Sequence, residues 1–136
     1  MTHKLNCIVL IDDDQPTNFL HKKVVEKAEC TEKVVVFDDA EAALAFLSTK
    51  TDGIYAQPDL ILLDINMPGM SGWDFMNAYV QLPEDQRAHI VVMMLTTSLN
   101  PDDKARADMN NGVSGFLSKP LTKELLQEVL DKHFGS

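Results

Sequence analysis

Apolar residues gather into five short runs along the chain: Leu5 to Ile11, Val34 to Phe37, Leu60 to Leu63, Ile90 to Leu95, and Val113 to Ser118. Runs of this length, bounded by polar and turn residues, predict strands, and Leu60 to Leu63 reads as a buried one. Between them the spacing becomes helical. Leu20, Val24 and Ala28 are four apart and form one stripe beside Val25, after Pro16, which suits a first helical turn. Ala40 to Leu47 is rich in helix formers and follows two candidate caps, Asp38 and Asp39. A third helix is expected from Gly72 to Val80, stopped by Pro83. A fourth should run from Asn100-Pro101 to Met109 and end at Gly112; it has only Ala105, Ala107 and Met109 to bury, so weak packing and mobility are expected. Leu121 to Phe134 forms the last amphipathic helix, and Ser48 to Pro58 reads as an unusually long loop.

Strands alternating with helices predict an α/β domain of three layers around a five-stranded parallel sheet. Right-handed crossovers place the carboxyl ends of the strands along one edge, where open sheets of this class bind ligands. The first strand delivers Asp12 and Asp13 to that edge, the third Asp64, the fourth Thr96 and the fifth Lys119. Each follows an apolar run closely, so a parallel sheet gathers all five into one crevice. Clustered carboxylates repel unless a cation sits among them. Hard oxygen ligands suit Mg2+, which takes one or two carboxylates together with phosphate oxygens. Beside such an ion and an ammonium, Asp64 could act as a nucleophile toward phosphorus, with the Thr96 hydroxyl donating to a phosphoryl oxygen.

Lys and Arg number 12 against 21 Asp and Glu, a formal charge of −9 in 136 residues. That balance disfavours sequence-independent binding to nucleic acid or to anionic membrane, and fits cationic ligands or basic partners. No signal peptide, membrane-length apolar run, repeat or linker is visible, and one domain spanning 1–136 is expected. Cys7 sits in an apolar run and reads as core, while Cys30 reads as a free thiol, so a reducing, cytoplasmic setting is the simplest. His3, His21, His89 and His133 show no metal spacing and read as surface groups. Met67, Met70 and Trp73 read as loop packing.

The set resembles the receiver domains of two-component response regulators over nearly the whole chain. The resemblance rests on Leu10-Ile11-Asp12-Asp13-Asp14, on Pro58-Asp59-Leu60-Ile61-Leu62-Leu63-Asp64-Ile65-Asn66-Met67-Pro68 with Gly72, on Leu95-Thr96, and on Gly115-Phe116-Leu117-Ser118-Lys119-Pro120. It implies a flavodoxin-like (CheY-like) strand order 2-1-3-4-5. It implies that Asp64 accepts phosphate from a histidine kinase or a histidine phosphotransfer domain. The metal is then Mg2+, with Mn2+ as a substitute, held by Asp13, Asp64 and the backbone carbonyl of Asn66, with Asp12 acting through water. Lys119 would contact the phosphoryl group, Thr96 would move toward it, and Phe116 would turn inward in response. The Lys119-Pro120 bond is expected to be cis. The signalling face is expected around the fourth helix, fifth strand and last helix.

The chain also departs from the family pattern. Thr97 stands where Ala, Gly or Ser is usual, which narrows the phosphate pocket. Phe116 lacks the hydroxyl of the Tyr often found there. Asn66 and Ser98 flank the crevice and could tune attack of water on the phosphoaspartate. Asp14 reads as a solvated cap, and Pro16, Thr17, Asn18 and Phe19 as candidates for docking the phosphodonor. With no output domain in the chain, the expected output is a downstream protein bound in trans or a relay of phosphate, as a monomer or a phosphorylation-dependent dimer. No direct contact with nucleic acid or membrane is expected.

Two other classes compete. Asp12-Asp13-Asp14-Gln15-Pro16-Thr17 superficially resembles the Asp-x-Asp motif of haloacid-dehalogenase-like phosphatases, with Asp12 as nucleophile and Asp14 as acid. Its Thr falls one place late, Pro16 intervenes, and no cap segment is apparent. A phosphorylation-independent interaction module would show gaps in the five-residue set, and this chain shows none.

Overall fold

A computed structural model describes residues 4–56, 58–65, 67, 69–83, 91–97, 101–102, 105 and 113–134. Five parallel strands, β1 (Leu5–Ile11), β2 (Thr31–Phe37), β3 (Leu60–Asp64), β4 (Val91–Thr96) and β5 (Gly115–Ser118), form one sheet in the order β2-β1-β3-β4-β5. Alternation along the strands splits the core in two. Val9, Ile11, Ile61, Leu63, Val92 and Met94 face the helices α2 (Ala40–Ser48) and α3 (Gly72–Tyr79). Ile8, Leu10, Leu60, Leu62, Met93 and Leu95 face α1 (Gln15–Ala28) and the C-terminal helix Lys123–His133. The central strand β3 is buried at every position, which is why Leu60 to Leu63 shows no polar alternation.

Register brings the strand ends together. Ile11 pairs with Leu63, Asp64 with Leu95, and Thr96 with Ser118. The next residues on β1 and β5, Asp12 and Lys119, therefore emerge at the same edge as Asp64. Gly72 locks the far side. A Cβ there would lie 2.5 Å from the Asp64 carbonyl oxygen and 2.9 Å from the Ile65 Cα, and the Gly72 N–H donates to the Ile65 carbonyl at 2.8 Å. Only a residue without a side chain lets the start of α3 approach the end of β3 this closely. Ser71 and Asp74 close a capping box over the same helix start.

Several expectations need correction. β2 starts at Thr31 rather than Val34, and β5 starts at Gly115 rather than Val113. The last helix begins at Lys123, because Thr122 caps it by accepting from the Leu125 N–H. The expected long loop contains a small antiparallel hairpin, Lys50–Thr51 against Ile54–Tyr55. Its two-residue turn is Asp52-Gly53, with φ of 54° and 80°. Asp-Gly is the favoured pair for the type I′ turn, so the sequence did carry this signal.

The stripe on α1 also differs from expectation. Leu20 is 58% exposed, Val24 and Ala28 are half-buried, and the inward residues are Asn18, His21 and Val25. His21, expected at the surface, is 1% exposed, and Asn18, expected to meet a partner, is also buried. Both side chains bond to backbone within the fold, which rotates the helix away from the Leu20 stripe. The expected fourth helix lies mostly outside the described residues; 101–102 and 105 are helical. Ile90 and Gly112, together with His3 and His89, also lie outside the described residues. Cys7 and Cys30 are free thiols, both half-buried, and burial raises the pKa of each.

Two outcomes follow for stability. Glu29 caps α1 in the left-handed region at φ 51°, so Glu29→Gly should raise stability in urea unfolding by about 0.5–1 kcal/mol. Gly72→Ala should lower it by about 1–3 kcal/mol, because its neighbours at the contact are backbone atoms that must shift.

Candidate functional site

Where β1, β3 and β5 end, three carboxylates and one ammonium meet. Asp12, Asp13 and Asp64 each bring a carboxylate oxygen within 4.8 Å of the others. Lys119 Nζ lies 2.7 Å from Asp12 Oδ2 and 3.0 Å from Asp64 Oδ1. Asp12 and Asp64 are buried and Asp13 is exposed. The crevice above them, about 380 Å3, is also lined by Asp14, Thr17, Thr97 and Pro120. It opens to solvent on the Asp13 side, so a ligand can reach the buried pair.

Backbone bonds fix these groups. Asp12 Oδ1 accepts the Asp14 N–H at 2.9 Å, and the Asp12 N–H donates to the Phe37 carbonyl at 3.1 Å. Asn18 Nδ2 donates to the Asp12 carbonyl at 2.6 Å. On the opposite side, the Lys119 N–H donates to the Thr96 carbonyl at 2.9 Å. Asp14 is the α1 cap: it accepts from the Thr17 N–H at 3.1 Å and from the Thr17 hydroxyl, and these bonds pull its pKa down. It stands beside the carboxylate cluster without joining it, as a solvated cap should.

Electrostatics in the crevice are lopsided. Burial alone would discharge Lys119, but its bonds to Asp12 and Asp64 and their charge outweigh burial and hold its pKa above the ordinary lysine value. Three carboxylates against one ammonium leave an excess of two negative charges when all are ionised. A hard divalent cation matches both that charge and the all-oxygen donor set. Asp12, Asp13 and Asp64 are the residues placed to hold it. His21 also borders the crevice, and burial lowers its pKa, against the charge of Asp12 and with that of Lys119.

Of the expected residues, Asp12, Asp13, Asp64, Lys119 and Thr97 share the crevice, with Thr97 exposed on its rim. Thr96 is buried at the end of β4, one residue before Thr97. Phe116 stands away from the crevice, half-buried, with its ring edge-on to Trp73 at 6.3 Å. Asn66 and Ser98 lie outside the described residues. Lys119-Pro120 is cis. His21 and Asn18 were missed as contributors. A lone polar residue on a helix gives no sign of direction, although their spacing of three, shared with neither neighbour, places them on one face.

Comparison with known proteins agrees with this geometry. A two-component response regulator from Cytophaga hutchinsonii superposes with a TM-score of 0.83 at 29% identity, covering 98% of this chain and 100% of that one. A response regulator receiver protein from Dyadobacter fermentans gives 0.82 at 33% identity, covering 96% and 98%. The chemotaxis protein CheY of Pseudomonas aeruginosa is 28% identical over 93% of this chain and 94% of its own length. Other curated relatives are longer: the chain spans 65% of the response regulator Rcp1 of Synechocystis and 7% of a hybrid histidine kinase of Dictyostelium discoideum. The response regulator receiver domain model matches residues 8–131, from within β1 to within the C-terminal helix, and the chain belongs to that family.

Proposed function

We propose that this chain is a phosphorylation-driven switch in which Asp64 accepts a phosphoryl group from the phosphohistidine of a sensor kinase or a histidine phosphotransfer protein. The observation that carries the reading is the Lys119 ammonium seated between Asp12 and Asp64 beside Asp13. Stand-alone action in the cytoplasm is part of the same reading. Among the described residues no helix is long and apolar enough to cross a membrane.

In the transfer, the P–N bond of the donor histidine breaks as a P–O bond forms to an Asp64 carboxylate oxygen. The imidazole leaves with the bonding electron pair and takes a proton from solvent. Asp12, Asp13 and Asp64 would hold Mg2+, which would supply charge neutralisation for the phosphoryl oxygens. The chain's own residues do the positioning. β3 presents Asp64 from a fully buried strand, so its carboxylate has little freedom to lose. Lys119 already touches Asp64 and needs only a small shift to meet a phosphoryl oxygen.

The output follows from the same edge. When Asp64 becomes an acyl phosphate it loses its carboxylate charge, and Lys119 and Thr96 turn to the new group. Movement of Thr96 at the end of β4 frees space toward Phe116 on the neighbouring strand, whose ring already leans on Trp73. To shift the population nearly completely, phosphorylation must favour the active form by about 5 kcal/mol. The face expected around the fourth helix, β5 and the C-terminal helix would then bind a downstream protein, or Asp64 would pass its phosphoryl group onward.

Incubation with an active cognate kinase and Mg2+ should add one phosphate by intact mass, and Asp64→Asn or chelation of the metal should abolish it. An addition that survives Asp64→Asn, or none from any cognate donor, would overturn the reading. Thr97 sits on the rim of the crevice, so slow labelling by acetyl phosphate is expected, and Thr97→Ala should speed it severalfold. An unchanged rate in that variant rejects steric gating by the threonine methyl group.

A further inference from the structure

We infer that His21 is a positioning residue for phosphoryl transfer: it seats the turn that carries Lys119, and so sets where the ammonium stands against Asp64. The inference deepens the phosphoacceptor reading and rests on it.

The argument starts from an unusual placement. His21 is 1% exposed on the inner face of α1, where a histidine is seldom so fully buried, and it borders the crevice. Its ring bridges a sequence separation of 100 residues: the Leu121 N–H donates to His21 Nε2 at 3.2 Å. A neutral imidazole accepting at Nε2 carries its proton on Nδ1, so the bond also selects the tautomer.

Leu121 packs its side chain into the core, but the turn that this bond holds has few backbone donors to orient it. The Lys119 N–H is fixed by the Thr96 carbonyl at 2.9 Å, and Pro120 has no N–H to give. Leu121 offers the next backbone donor, and His21 takes it. Lys119 is thus held from both sides in sequence, by β4 before it and by α1 after it. Without that bond the turn keeps the buried Leu121 side chain but loses the directional contact that sets its backbone against α1, and a long side chain amplifies any shift of its own backbone.

Asn18, one turn earlier on the same face, does the matching work on the other wall. It donates to the carbonyl of Asp12, whose carboxylate is the other partner of Lys119. α1 therefore grips the backbone on both sides of the Asp12–Lys119 ion pair through two buried polar side chains spaced by three. A shift of about 1 Å in such a group can cost on the order of a hundredfold in rate.

The test compares His21→Leu, which keeps the volume and loses the acceptor, with His21→Gln, whose amide oxygen reaches the place of Nε2. Labelling by acetyl phosphate with Mg2+ is followed at varied donor concentration, alongside urea unfolding. The saturating rate of His21→Leu should fall by about tenfold or more, with little change in half-saturating donor, and His21→Gln should recover most of it. Equal rates in wild type and His21→Leu, or equal losses in both variants, overturn the inference while the phosphoacceptor reading stands. A wild-type chain that takes no phosphate from acetyl phosphate or from any cognate donor overturns both. If His21→Leu does not fold, hydrogen exchange in the wild type and the rate of His21→Gln decide. A slowly exchanging Leu121 amide with a near-wild-type rate in His21→Gln supports the clamp, and an unprotected Leu121 amide or a slow His21→Gln rejects it.

Discussion

One ammonium shared by two buried carboxylates is the constraint on which the rest of the molecule turns. Attraction between a single pair amounts to about 4 kcal/mol at a 4 Å separation in a protein-like dielectric. Desolvating each buried ion costs several kcal/mol. The Lys119 bridge to Asp12 and Asp64 is therefore close to neutral for stability, and the exposed Asp13 adds a third carboxylate to the group. Such a cluster persists because something else holds it. That support is the sheet, whose central strand is buried at all positions and whose two faces are sealed by separate apolar clusters. The fold supplies the stabilisation, and the site uses it to keep like charges together.

The two faces do different jobs around this cluster. On the side of α2 and α3, contact with the site is apolar and steric: Gly72 abuts the end of β3, and Trp73 beside it meets Phe116 on β5. On the side of α1, contact is polar and directional, through Asn18 and His21. Under the proposed function, a change in charge at Asp64 would meet apolar packing on one face and hydrogen bonds on the other. This division suits a switch, since one wall must move while the reacting groups stay aligned.

Much of this was legible in the sequence, for physical reasons. The central strand announced itself because a doubly buried strand needs an unbroken apolar run, as Leu60 to Leu63 is, while the edge strand β2 carries the apolar run Val34 to Phe37 yet is at most half-buried. Asp12, Asp64 and Lys119 stood out because each follows such a run, and parallel register turns that local fact into convergence. What escaped were features set by partners far along the chain. Nothing near His21 reveals that its ring faces the Leu121 amide, and Leu20 looked like core only because its stripe ignored where the polar bonds would turn the helix. The Asp52-Gly53 hairpin is a different kind of miss. Its turn chemistry is local and was present to be seen, but its strands are too short to show alternation.

The origin of the crevice groups bears on how the molecule comes into being. Asp12 emerges first during synthesis, Asp64 later, and Lys119 last of the three. A nascent chain thus assembles its acidic wall well before the counter-charge has left the ribosome. Central strands can align early through apolar contact, but their charged rim stays frustrated until the last strand docks. Completion of the ion bridge therefore waits for β5, and a product cut short before that strand would keep the acidic wall without Lys119.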